Sequence, residues 1–119
     1  METLFLVGKI VLGVYFILAG IPHFTKAKGL IEYSKYKKVP MPEVGVYVGG
    51  LILVLGGIGI LFQMDLVWAY GALAALLVVF AVMIHNFWAT TDEKQKMTDM
   101  IMFQKNIAIA AALLMLLAK

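Results

Sequence analysis

Four ionisable side chains lie within or at the ends of the long apolar stretches of this chain: Lys9, His23, His85 and Lys105. Such groups are costly in lipid, so they are the first place to look for chemistry. Two neutral imidazoles and an ammonium offer hydrogen-bond donors and acceptors to a quinone carbonyl, an anion or a lipid headgroup. Two His could also ligate a metal, but without Cys or a nearby carboxylate they make a poor zinc site, so no metal is expected. Haem is a weaker candidate than a quinone, because bis-His ligation needs two rings opposed across a gap. The competing use is structural, with the imidazoles bonding backbone carbonyls to hold helix ends.

These residues need elements to position them, and the composition says which kind. With 63% hydrophobic against 14% charged residues, the chain reads as an integral membrane protein. A span needs about 20 mostly apolar residues, and 4–20, 44–62, 67–87 and 100–118 meet or nearly meet that length. The expectation is all-α: a transmembrane four-helix bundle built from two antiparallel helical hairpins, one domain over residues 1–119. The opening Met1-Glu2-Thr3 lacks a basic start, and no small-x-small cleavage site follows, so the first stretch is read as a retained span.

Several function classes are excluded or disfavoured. Zero cysteines rules out thiol exchange, thiolate metal ligation and palmitoylation. No Asp or Glu falls inside the spans so drawn, which counts against a proton-coupled transporter or a cation channel. There is no phosphate-binding glycine loop, no His-Glu-x-x-His run and no voltage-sensing Arg stripe. Independent catalysis is therefore not expected.

Charge placement addresses orientation. Lys26, Lys28, Lys35, Lys37 and Lys38 crowd the first connection, and Lys94 and Lys96 lie in the third. By the positive-inside rule, connections 21–43 and 88–99 face the cytoplasm, with the protein in the plasma (inner) membrane. Leu30, Ile31, Tyr33 and Tyr36 among the lysines suit a segment lying along the headgroups, a collar attracted to anionic lipid and not a nucleic-acid site. Trp68 and Trp88, at the two ends of span three, read as interface anchors.

Helical phase sharpens the placement. Lys9, Gly13, Gly20 and His23 share one arc of span one, and Gly45, Gly49, Gly56 and Gly59 repeat that spacing in span two. Small residues let membrane helices approach, so spans one and two are expected to pack through Gly13, Gly20, Gly49 and Gly56. Gly50 and Gly57 then form a second small face for another helix or subunit, or a second copy. In span three Gly71, Ala74, Val78, Ala81 and His85 fall together, and in span four Lys105 lies above Ala108 and Ala112. Topology brings the end of span one, the end of span three and the start of span four to one membrane face. His23, His85, Lys105 and Asn106 are thus expected in one polar pocket that binds a quinone or an anionic lipid. Lys9 sits about 20 Å away by the helical rise, and is expected to snorkel toward Glu2 or Asp65.

The run from Lys9 to Phe24, with Gly13, Phe16, Ala19-Gly20 and His23-Phe24, resembles the opening signature of the DoxX-like membrane proteins. The resemblance continues through Gly49-Gly50 and Gly56-Gly57, His85-Asn86-Phe87-Trp88 and Phe103-Gln104-Lys105-Asn106. The chain departs from the pattern at Lys9, where an Arg is common, and at Ala110-Ala111-Ala112, where a Gly pair is frequent. The first change loosens any role that needs a bidentate guanidinium. The resemblance implies a four-helix membrane bundle. Some relatives are subunits of quinone-linked enzymes such as thiosulfate:quinone oxidoreductase, one bacterial relative is tied to a membrane oxidoreductase complex for redox stress, and distant eukaryotic relatives are receptor-assembly chaperones. The first expectation is an accessory membrane subunit that binds quinone or lipid beside redox partners. The rival is a non-enzymatic assembly factor acting through its glycine-rich helix faces.

Overall fold

The computed structural model describes residues 1–64 and 66–119. Its elements are α1 (Glu2–Gly20), the short α2 (Pro22–Thr25), α3 (Ala27–Tyr36), α4 (Pro42–Leu61), α5 (Leu66–Met83), a 3-10 turn (Phe87–Ala89) and α6 (Glu93–Ala118). Four segments are long and apolar enough to cross a membrane: Glu2–Thr25, Pro42–Leu61, Leu66–Ala89 and Glu93–Ala118. The chain is an all-α membrane bundle.

Local chemistry sets the boundaries. Pro22 has no N–H to give back to the preceding turn, so the first segment bends there while Thr25 still bonds the Ile21 carbonyl. α3 and α4 end alike, with Lys38 and Gln63 in the left-handed region at φ 61° and 51°. In each case the next residue reaches back five positions, Val39 to the Ser34 carbonyl and Met64 to that of Gly59, which closes a Schellman turn. α6 starts earlier than the hydropathy suggests. Asp92 caps it by accepting from the Gln95 N–H at 3.0 Å, which adds nearly two turns ahead of the apolar run.

α1 packs on α4, α4 on α5 and α5 on α6, but no Cα of α1 comes within 8 Å of one in α6. The row of helices is therefore open along one side. Phe16, Leu53, Ile60, Leu73, Leu77 and Leu113 form the core on the closed side.

The glycines tie α4 to its neighbours on two faces at once. A Cβ on Gly57 would meet the Gly13 carbonyl oxygen at 2.6 Å, and one on Gly20 would meet the Gly50 carbonyl oxygen at 2.9 Å. Gly49 and Gly56 instead face α5, at Phe80 and Leu73, and Gly59 meets Ala69. Span one thus rests on Gly50 and Gly57, one residue on from the Gly49 and Gly56 that phase suggested. The pair left over for an outside partner is used inside the bundle. Gly45 has open space around it and makes no helix contact. The physical reason is that α4 is sandwiched, so two small faces about 100° apart are both needed.

Candidate functional site

Asp99 is the centre of the polar end of the molecule, and its side chain is only 1% exposed. It lies on the early turns of α6 that the Asp92 cap creates, one turn after Gln95. Lys37, at the C-cap of α3, reaches it from the first connection with Nζ 2.5 Å from Oδ2 and a side chain 5% exposed. The remaining donors of Lys37 go to Asn86 Oδ1 at 3.1 Å and Thr90 Oγ1 at 3.3 Å, so the ammonium is fully satisfied. Asp99 also lies 2.9 Å from the Thr90 hydroxyl and accepts at Oδ1 from Gln95 Nε2 at 3.1 Å. Gln95 donates as well to the Tyr33 hydroxyl at 3.1 Å. Burial pushes the Tyr33 phenol above its ordinary pKa, and the nearby Asp99 carboxylate adds to that, while the Gln95 hydrogen bond works the other way.

This network joins α3 to α6 entirely through long side chains, since the two helices make no Cα approach within 8 Å. A small cavity of about 250 Å³ opens beside it, lined by Lys37, Asn86, Thr90 and the neighbouring loop residues. His85 faces the same carboxylate. Its Nδ1 is buried without a hydrogen-bond partner and stands 3.6 Å from Asp99 Oδ1, just beyond bonding distance.

His23 is placed elsewhere in the same half of the bundle. Its Nδ1–H donates to the Val46 carbonyl at 2.9 Å, and its ring stacks on Phe80 at 5.9 Å between centroids. Gly50 permits this, because a Cβ there would lie 2.4 Å from that of His23. His85 is linked to the same level through its backbone, whose N–H bonds the Phe80 carbonyl at 3.1 Å. It sits in the turn after α5, so helical phase does not govern it. Asn106 is buried in line with Ala110 and Leu113, the face of α6 that packs on α5. Lys105, with Ala108 and Ala112, is exposed on the other side and donates to the Tyr15 hydroxyl at 3.3 Å. His23 and His85 therefore occupy one level, but each has its own surroundings, and Lys105 turns toward α1.

The family model for DoxX matches residues 4–86. The chain belongs to the DoxX family. In this DoxX protein the match takes in Lys9, His23, Lys37, His85 and Asn86, whereas Asp99, Lys105 and Asn106 lie beyond it. No curated protein and no solved structure is detectably similar to the chain.

Sequence reasoning missed Asp99 and Lys37. The sequence reading puts Asp99 in the connection 88–99 and Lys37 in the lipid-attracted collar. The statement that no carboxylate belongs to a span is corrected by α6, whose membrane-length segment begins at Glu93 and includes Asp99. A signal was present: Asp92-Glu93-Lys94-Gln95 is a capping pattern, and a helix begun there puts Asp99, Asn106, Ala110 and Leu113 on one face. Trp68 and Trp88 are both exposed, and Trp88, in the 3-10 turn, makes T-shaped contacts with Phe87 and with Phe103 of α6.

Proposed function

We propose that this DoxX protein is an accessory membrane subunit that holds a quinone headgroup at its polar end, beside redox partners. The observation that carries the reading is the buried, unpartnered Nδ1 of His85 next to an ion-paired carboxylate. Buried polar atoms in folded proteins are almost always bonded, so an orphan at such a cluster points to a role in binding or proton transfer. A quinone needs a donor at its carbonyls and a proton source on reduction; His85 is of the right kind for both, and Lys37, whose three protons are already taken, contributes only its charge. The cavity beside Lys37, Asn86 and Thr90 has room for a headgroup, with the tail left in lipid. The same donors suit a lipid headgroup, which is the nearest competitor for the cavity. The assembly-factor reading has less to act through, because Gly50 and Gly57 are consumed by α1 and only Gly8, Gly29, Gly45 and Gly71 keep open space.

The test is mass spectrometry of extracts from natively purified protein, wild type against His85→Ala. A quinone retained by the wild type and lost from a folded His85→Ala variant is the expected result. Extracts with no quinone, together with an unrelated membrane protein that co-purifies with both forms, would favour the assembly factor.

A further inference from the structure

The open side of the bundle holds a second site, at the membrane face opposite the polar cluster. Between α1 and α6 runs a groove of about 580 Å³, walled by Phe5, Val11, Leu12, Ile109 and Leu116. Phe5, Lys9 and Leu116 also line an adjoining space of about 830 Å³ that reaches Gln63 and Lys119. At the far end the hydrogen bond from Lys105 to Tyr15 bridges α1 and α6 and bounds the groove. From Phe5 to Tyr15 the groove is about 15 Å long by the helical rise.

Lys9 lines both spaces and is 5% exposed. Its ammonium lies 5.7 Å from the Phe5 ring centroid, and among the described residues it has neither a hydrogen bond nor a carboxylate partner. The expected snorkelling to Glu2 is not made, and Asp65, the other expected partner, lies outside the described residues. A cation removed from water without a counter-charge is strongly disfavoured, and a ring at that distance compensates only part of the loss. Among the described residues no anion faces Lys9, and the groove walls along Leu12 and Ile109 are apolar.

We propose that the groove binds a long-chain fatty acid, its carboxylate on Lys9, the first part of its acyl chain running along Leu12 toward Tyr15 and the remainder leaving through the open side into lipid. The two alternatives fit less well. A second copy of the chain could fill the groove with a helix, but α1 and α5 carry no side-chain carboxylate past Glu2, and those of α4 and α6 lie in their first two turns at the other membrane face. A two-chain phospholipid keeps its phosphate in the headgroup layer, whereas Lys9 is about 10 Å into α1 from Glu2. A single chain with a carboxylate is slender enough to reach it. This site is independent of the quinone reading, which concerns the other end of the bundle.

The experiment is native mass spectrometry of the detergent-purified full chain with palmitate, hexadecanol or phosphatidylglycerol. The wild type should hold one palmitate and reject hexadecanol, which has the chain without the charge. Lys9→Met should weaken palmitate binding by at least about tenfold, as expected when one member of a desolvated charge pair is removed. Leu12→Trp, which fills the groove and leaves Lys9 in place, should also reduce it. Palmitate binding equal to wild type in Lys9→Met overturns the proposal. So does retention of phosphatidylglycerol in place of palmitate, or a disulfide-linked dimer formed by Val11→Cys, which would put a second copy in the groove.

Discussion

Lys37 and Lys9 are both withdrawn from solvent, at opposite ends of the bundle, and their surroundings differ completely. Lys37 has a carboxylate at 2.5 Å, an amide and a hydroxyl, one for each of its protons. Lys9 has the face of Phe5. The first is a closed arrangement in which every donor is used, and it joins two connections that the helices alone leave apart. The second is an open one, since no Cα of α1 comes within 8 Å of one in α6 and the cation borders a hydrocarbon-lined groove. Burial of a charge is therefore not itself informative. What matters is whether the fold supplies the partner or leaves the partner to be supplied from outside.

The largest expected contrast between the two ends is topological. If connections 21–43 and 88–99 are cytoplasmic, the Lys37–Asp99 end faces the cytoplasm and the mouth of the Lys9 groove faces out. The chain has no cysteine, so single introduced thiols report without background. Ser34 is buried and unsuited, whereas Lys35 and Met64 are exposed. An impermeant maleimide on intact cells should label Met64→Cys and leave Lys35→Cys unlabelled. The reverse pattern overturns the orientation and assigns each site to the other compartment.

Next in size is the effect of removing a partner. Asp99→Ala leaves Lys37 buried without its counter-charge and should cost about 3–5 kcal/mol of stability, read from thermal unfolding in detergent. The double change Lys37→Met with Asp99→Leu should recover much of that loss, because apolar pairs often replace buried ion pairs at little cost. Lys9→Met in delipidated protein should be neutral or stabilising, as no partner is stranded. A loss of several kcal/mol from Lys9→Met would mean that the fold itself satisfies Lys9, and the contrast between the two lysines would disappear.

The smallest effect concerns the closed and open sides of the helix row. Gly57→Ala forces a methyl onto the Gly13 carbonyl and should destabilise by about 1–3 kcal/mol. Gly45→Ala has nothing within 4 Å to displace and should stay within about 0.5 kcal/mol of wild type. Similar melting temperatures for the two variants would show that α1 is not held through close backbone contact.

Much of this was legible before any coordinates. Hydropathy over windows of membrane length located four helices to within a few residues at most ends, because apolar content alone decides whether a segment can span lipid. Phase found the inner face of α1, where Lys9, Gly13 and Gly20 are all buried with Phe16. It erred on α6, choosing the side of Lys105, Ala108 and Ala112 over that of Asn106, Ala110 and Leu113. Small residues mark where a helix can approach another. They do not say on which side a neighbour stands, and the long helix against which α6 packs closely is α5.

Side-chain chemistry and local periodicity, then, settled the class of solvent and the number of spans, and they singled out Lys9, His23 and His85 but not Lys37 or Asp99. Tertiary structure alone decided which charges are paired. Lys37 and Asp99 are 62 positions apart and meet only because the turn at Lys38 and the cap at Asp92 aim two helix ends at each other. Among the described residues Lys9 goes without a carboxylate partner for the complementary reason. The helix that would have covered it packs against α5 instead, and no local pattern in the chain records which of two available neighbours a helix will take.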